Sequence, residues 1–321
     1  MSDNSLLTLG RHATVDLHTH TVASDGRWTP ETLVARAASL GLRIMAIADH
    51  DALDSIAPAR ARAGARGIAL VSGVEVTTRW DGRQWHLLVY GADSERGPVH
   101  DLVAESRARH IAAATEAIAR LKGAGYAVPS LDAAVAGRPP LPIYVMDALI
   151  RDDLAPNMLA ANRLVSEELG VPFSIDVPLE AAVAAAHAAG AVAILAHPGR
   201  DEGAGVLEPA RLARLLAIAP LDGLEVHYPT HTLDQVREYA DLAARHGLLR
   251  SCGSDSHGPN RPRDPLAYHS SLIAPLLTRL GFTFPPRGHE RPRGEGHFIS
   301  RLDPAGKTDN ATPPTKEDEA R

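Results

Sequence analysis

Seven short apolar runs punctuate the chain, each bounded by turn or helix-start residues and each of a length suited to a buried strand. They span Val15 to His20, Arg43 to Asp49, Ala69 to Thr78, Gln84 to Gly91, Ala191 to His197, Gly223 to Tyr228 and Leu248 to Asp255. Between most of them the apolar positions recur at helical spacing. Thr29-Pro30-Glu31 supplies a cap, a first-turn proline and an acid, and Gly41 closes that helix. Ala181 to Ala189 and Leu212 to Ile218 are Ala- and Leu-rich helical stretches. Strands alternating with helices predict a parallel sheet, and seven of them can close into an α/β barrel of the TIM-like kind.

The alternation breaks once. Between Pro98 and Asp176 no strand pattern appears; His100 to Leu121 reads as one long helix, followed by proline turns at 129, 139–140 and 142 and further helix from Val145 to Leu169. The expected organisation is a barrel built from residues 13–97 and 177–284, with residues 98–176 forming an inserted helical lobe or lid. After Phe284 the chain becomes rich in Pro, Arg, Gly and charge and loses periodicity, so 285–321 is expected to be a disordered tail.

At 321 residues the chain can bury one large core, or one core with an inserted lobe. Only 4% of residues are aromatic while alanine is abundant, which favours helices on a barrel over an all-β sandwich. A net charge of −6 argues against a protein that coats long nucleic acid. The one cysteine, Cys252, excludes a disulfide framework and thiolate zinc sites, and reads as core. No basic-then-apolar leader or membrane-length apolar stretch is present, so the expected location is a reducing cytoplasm, with no membrane association.

The 16 histidines become informative through their positions relative to the strands. His18 and His20 end the first strand, with Asp25 in the next loop. Asp49, His50 and Asp51 end the second. Glu75 lies in the third, His86 in the fourth, His197 at the end of the fifth, and Asp255 and His257 at the end of the seventh. In parallel barrels the C-terminal strand ends converge on one face. Side chains on a strand alternate with period two, so His18-x-His20 presents both rings on one side. A single histidine at a strand end is more often a hydrogen-bonded structural residue than a ligand. Six of them with three acids, on nearly every strand, are not explained that way. Crowded buried carboxylates repel, and a bound cation is the usual remedy. His12, His100, His110, His187, His246, His269, His289 and His297 read as solvated or locally bonded, whereas His227 and His231 are candidates to line the cavity.

Asp16-Leu17-His18-Thr19-His20-Thr21, Ser24-Asp25-Gly26, Ala48-Asp49-His50-Asp51, Gly73-Val74-Glu75, Ala196-His197-Pro198 and Gly253-Ser254-Asp255-Ser256-His257 together resemble the motif series of the PHP (polymerase and histidinol phosphatase) family. The resemblance covers residues 13 to 260 and is nearest to small bacterial phosphoesterases with a helical insertion. It implies a distorted (β/α)7 barrel and a three-metal site. His18, His20, Glu75 and Asp255 would hold one ion. Glu75 would bridge to a second held by His86 and His197, and Asp25, His50 and His257 would hold a third. Arg200 and His231 match positions that contact the substrate phosphate. Relatives carry an Arg-x-His element in the insertion; the stretch Leu141 to Asp147 lacks it, with Arg138 nearby.

The expected cofactors are two or three divalent cations, Mn, Fe or Zn, because imidazole and carboxylate donors without thiolate suit all three. The expected reaction is hydrolysis of a phosphate monoester of a small nucleotide-like substrate, such as a nucleoside 3',5'-bisphosphate, through metal-bound hydroxide. Arg200 would clamp the phosphate. His231 or Asp49 would protonate the leaving alkoxide, unless Asp49 and Asp51 instead orient His50. Within enzymes, the alternatives are a 5'-to-3' exonuclease on short RNA or DNA, with Arg107, Arg109, Arg120 and Lys122 tracking the backbone, or a phosphatase of histidinol phosphate or a cyclic ribose phosphate. A non-catalytic metal-binding module is a different class of answer, and the complete donor set argues against it. No obligate protein partner is expected.

Overall fold

The chain is described here from a computed structural model covering residues 13–173, 177–201, 205–259 and 263–284. The expected tail at 285–321, together with His12, His289 and His297, lies outside the described residues.

All seven expected strands form: β1 (Thr14–Asp16), β2 (Ile44–Ile47), β3 (Ala69–Trp80), β4 (Arg83–Tyr90), β5 (Val192–Leu195), β6 (Gly223–His227) and β7 (Leu249–Cys252). A two-residue β8 (Tyr268–His269), not foreseen, pairs antiparallel with β1. The sheet order is β7-β6-β5-β4-β3-β2-β1-β8. One expectation needs correcting: the barrel is not all parallel, because β4 runs antiparallel to both β3 and β5. The cause is local. Asp81-Gly82 between β3 and β4 has φ of 51° and 71°, the left-handed pair that a two-residue hairpin turn requires. So short a link leaves no room for the crossover that a parallel pair needs.

The barrel closes at the end where the parallel strands finish. The backbone N–H of Leu17 donates to Cys252 O (3.2 Å), that of Asp255 to His18 O (2.8 Å) and that of His20 to Ser256 O (2.9 Å). Gly253 permits this seam, since a Cβ there would lie 2.1 Å from His18 Cβ.

The pleat divides the apolar strand residues between two layers. Met45, Ile47, Leu87, Val89 and Leu195 pack with the helices outside the sheet. These include α1 (Pro30–Ser39), capped by Thr29, whose hydroxyl accepts from Thr32 N–H, and α2 (Ile56–Gly64). Ile44, Ala46, Leu88, Tyr90 and Ile194 pack together with Ile273, Leu276 and Leu277.

Between β4 and the next barrel helix lie α3 (Pro98–Gly123), α4 (Pro129–Ala134), α5 (Pro142–Arg151) and α6 (Met158–Arg163), which runs on into a π-turn at Leu164–Glu168. Helix α3 links two cores: Val99 and Val103 join the barrel's outer layer, while Ala114, Ala117 and Leu121 join a separate cluster with Val145, Leu149 and Val165. The remaining helices are α7 (Leu179–Ala188), α8 (Pro209–Ile218), α9 (Leu233–His246) and α10 (Ala274–Arg279). Thr232 and Gln235 form a reciprocal capping box at the start of α9. No helix among the described residues is long and apolar enough to cross a membrane.

Candidate metal centre

Glu75 is the hub. Its side chain is buried on β3, and five imidazoles divide between its two oxygens. His86 Nδ1 lies 2.9 Å and His197 Nε2 3.0 Å from Oε1. His18 Nε2 at 3.0 Å, His20 Nε2 at 3.2 Å and His50 Nδ1 at 3.4 Å approach Oε2. Asp255 joins the second set, with Oδ1 3.0 Å from His20 Nε2 and 3.4 Å from His18 Nε2. Asp25 meets His257 at 3.1 Å. The structure therefore brings together all nine donors expected from the sequence. His86 arrives by a different route from the others: it sits near the start of β4, and because that strand runs backwards its start lies at the same barrel end. Opposite Thr77, it shares a sheet face with Glu75.

Three of the strand-end residues, Asp51, His197 and Asp255, have φ of 46°, 26° and 55°. Non-glycine residues rarely adopt this region, and such strain concentrates at functional sites, where it aims side chains that an extended strand would not.

Three overlapping groups have one donor atom from each member within 4.8 Å of the others: His18, His20, Glu75 and Asp255; His20, Asp25, His50 and His257; and His50, Glu75 and His86. Both ring nitrogens of His20, and Nδ1 of His50 and of His86, are buried without a hydrogen-bond partner. They approach carboxylate oxygens closely but are not aligned for hydrogen bonds. Buried polar atoms left so are costly. Lone pairs that converge without bonding one another fit a shared cation, and an all-nitrogen and oxygen donor set suits a borderline divalent ion.

The charges are tightly coupled. Burial lowers the His20 pKa, but Asp255 and Glu75 outweigh it and hold the ring at about 10. His18 behaves alike: burial opposes its charge, yet Glu225, Glu75 and Asp255 raise it well above the usual range. Burial, aided by His86 and His20, pushes His50 down to about 3 despite Glu75 and Asp25. Burial disfavours ionised Glu75 and Asp255, but the surrounding imidazoles hold both well below the ordinary carboxylate range.

Behind the donors lies a layer that the sequence reading missed. Glu225, fully buried on β6, accepts from His18 Nδ1 (2.9 Å) through Oε1 and from the His197 backbone N–H (2.8 Å) through Oε2. It fixes two donors at once. A charged residue inside the apolar run Gly223-Leu224-Glu225-Val226 was the available signal. Asp16 accepts from the backbone N–H of His18, Ser254 and Leu266, stitching β1 to the β7 loop. Tyr228 donates to Asp255 Oδ2 (2.7 Å). Burial and then Asp255 raise its pKa far above the usual phenol value, which keeps the proton on the oxygen. Glu225→Gln, which keeps the shape but exchanges an acceptor for a donor, is expected to cost 10- to 100-fold in metal affinity. A metal titration of the purified variant against wild type measures it.

The residues expected to move protons are engaged elsewhere. Asp49 is buried and accepts from Thr21 N–H (2.6 Å), Thr21 Oγ1 (2.7 Å) and Ser24 Oγ (2.7 Å). His231 donates from Nδ1 to Val226 O and accepts the Gly199 N–H at Nε2, both at 3.0 Å. Burial lowers its pKa, consistent with this neutral form. The contact is tight enough that a Cβ on Gly199 would lie 2.7 Å from the ring. Asp51 accepts from Thr77 N–H and faces His110 Nδ1 at 3.7 Å. His110, expected to be solvated or locally bonded, lines the main cavity with Arg107.

That cavity, of about 1110 Å³, opens over the cluster and includes Arg200, whose Nη1 lies 3.5 Å from Asp255 Oδ2. A second cavity of about 530 Å³ touches Asp25 and His257 and is lined by Arg138, which stacks 4.0 Å over the Tyr144 ring. On α3, Arg109 and Arg120 are paired with Glu105 and Glu116, each at 2.7 Å.

Comparison with known proteins agrees with this geometry. The family profile described as PHP domain matches residues 16–123. The 3',5'-nucleoside bisphosphate phosphatase of Chromobacterium violaceum is 32% identical over 256 residues, covering 77% of this chain and 88% of that protein. The 5'-3' exoribonuclease Rnm of Salmonella typhimurium is 31% identical, covering 76% of this chain and 85% of the other. A solved structure from Bifidobacterium adolescentis, described as a metal-dependent phosphoesterase, matches with a TM-score of 0.70 at 28% identity, over 86% of this chain and 98% of that one. With the motifs, the barrel and the nine converged donors, these matches make the chain a member of the PHP family of metal-dependent phosphoester hydrolases.

Proposed function

We propose that the protein removes phosphate from a small nucleotide-like monoester, with a nucleoside 3',5'-bisphosphate as the leading substrate. The observation that carries the reading is Glu75, with five imidazoles shared between its two oxygens, three of which, His50, His86 and His197, line one open cavity with it. We assign His18, His20, Glu75 and Asp255 to one cation, Glu75 with His86 and His197 to a second, and Asp25, His50 and His257 to a third, with His20 close enough to share in the last. Mn, Fe or Zn suits these donors. Bound there, the cations would supply Lewis acidity toward phosphate oxygens and lower the pKa of a coordinated water.

The protein's own residues do the rest. Arg200, whose Nη1 lies 3.5 Å from Asp255 Oδ2, would grip a phosphate oxygen with its planar fork. Tyr228 and Glu225 hold Asp255, His18 and the His197 backbone in place. We assign Asp49 to anchoring the Thr21–Ser24 loop beside Asp25, and His231 to bracing the turn that carries His197 and Arg200. Such positioning at the cluster is what makes the reacting groups meet.

The mononucleotide reading is preferred to an oligonucleotide track because of how the four basic residues on α3 are placed. Arg109 and Arg120 pair with glutamates of their own helix, and Arg107 turns to the barrel and donates to Ala23 O, so that with Lys122 at the helix end they form no continuous path for a phosphate backbone. We infer a reducing cytoplasm as its location, in keeping with the single buried thiol. His197→Ala is expected to lower kcat/KM by more than about 100-fold while leaving the circular dichroism spectrum unchanged. Wild-type turnover of a nucleoside bisphosphate by that variant, with metal supplied, would sink the assignment. Turnover of a short oligonucleotide well above that of the bisphosphate would transfer the reading to an exonuclease.

A further inference from the structure

We propose that Ile143, Met146, Leu159 and Phe173 form a nucleobase shelf in the main cavity, with the Asn162 amide at its edge, and that this shelf restricts the enzyme to phosphoesters that carry a base. The inference rests on the phosphoesterase reading above and specifies its substrate class.

The main cavity has two chemically distinct walls. The barrel contributes the imidazoles, carboxylates and Arg200. The helical segment contributes Arg107 and His110 from α3 and, past α3, a mainly apolar stretch: Ile143 and Met146 from α5, Leu159 from α6 and Phe173 beyond the π-turn. Leu159 is 62% exposed, although a leucine left in water gains nothing from the fold. A phosphate and a sugar are polar over most of their surface and have no use for such a wall. A purine or pyrimidine has two apolar faces and a polar edge. An aromatic ring and a flexible thioether are suited to cover such faces. Asn162, half-buried on the same wall, offers a donor and an acceptor side by side, and its side chain makes no hydrogen bond among the described residues. That pairing matches the edge of a base. The volume agrees: about 1110 Å³ exceeds what phosphate and ribose need and accommodates a whole nucleotide. The shelf acts on binding, away from the reacting atoms.

The test is steady-state kinetics of the metal-loaded full chain on adenosine 3',5'-bisphosphate and on its abasic analogue, a tetrahydrofuran ring bearing the same two phosphates. Stacking of one base corresponds to about a 10- to 100-fold advantage in kcat/KM for the nucleotide. Phe173→Ala is expected to raise KM for the nucleotide, to leave kcat within a few-fold, and to narrow the gap to the abasic compound. Leu159→Asp, at an exposed position that cannot disturb the core, is expected to do the same and guards against misfolding of the first variant. Asn162→Ala is expected to change the ranking of adenosine against cytidine bisphosphate. Equal turnover of nucleotide and abasic substrate would overturn the shelf and leave the hydrolase standing. Hydrolysis of neither would overturn the phosphoesterase reading, and the shelf with it.

Discussion

Glu75→Gln is expected to abolish activity, lowering kcat/KM by more than about 1000-fold, beyond the 10- to 100-fold typical of residues that only orient ligands. The substitution keeps the side-chain volume and both heteroatom positions, so packing in β3 is preserved. It removes the negative charge on which five imidazoles depend, and it turns one of the two oxygens into an NH₂ facing ring nitrogens. An amide cannot bridge two cations with both atoms, so the first and second groups are expected to lose occupancy together. Elemental analysis of the purified variant should show at least two sites depleted, against one for His197→Ala. A variant that keeps its full metal complement and its turnover would show that Glu75 is not the hub.

The comparison of these two variants also shows what was legible in the sequence. Of the nine expected donors, His18, His20, His50, His197, Asp255 and His257 were visible because they fall just past a strand end, and the barrel's geometry makes strand ends converge. Glu75 and His86, by contrast, lie within their strands, and Asp25 lies in a loop. Strand direction was less visible. The Asp81-Gly82 pair that reverses β4 was present, but the alternating context suggested crossovers, and His86 reached the correct end through a hairpin instead. The second layer was nearly hidden. Glu225 left a trace as one acid in an apolar strand, whereas the capture of His231 by the Val226 carbonyl and the Gly199 N–H depends on how closely two loops approach. His110 shows the same limit. Its helix is obvious in sequence, but whether its ring meets Asp51 or solvent is decided by how α3 crosses the barrel mouth. Pattern places elements, and tertiary contact decides which polar atoms remain available to a ligand.

Metal loading is expected to strengthen steeply as pH rises from 6 to 8, with release of about two protons on filling the first group at neutral pH. The metal-free rings of His20, at about 10, and His18, well above its ordinary value, are cationic throughout that range, whereas His50, at about 3, is already neutral. A cation must displace the first two protons but not the third. The sign for stability is opposite in the metal-free protein. Raised folded-state values mean that protonation stabilises the fold fully below the unfolded imidazole value of about 6.5, and that this contribution is lost as pH climbs toward 10. The low values of Glu75 and Asp255 describe the other side of the same ion pairs and add no separate contribution. Chelated protein should therefore melt at a lower temperature at pH 9.5 than at pH 7, while metal-loaded protein, whose cations replace those protons, should lose much less. Calorimetric titration in buffers of different ionisation enthalpy counts the protons, and thermal melts with and without chelator test the crossing. Metal binding that released no protons at pH 7 would show that His18 and His20 stand outside the centre, and the assignment built on Glu75 would have to be redrawn around the outer imidazoles.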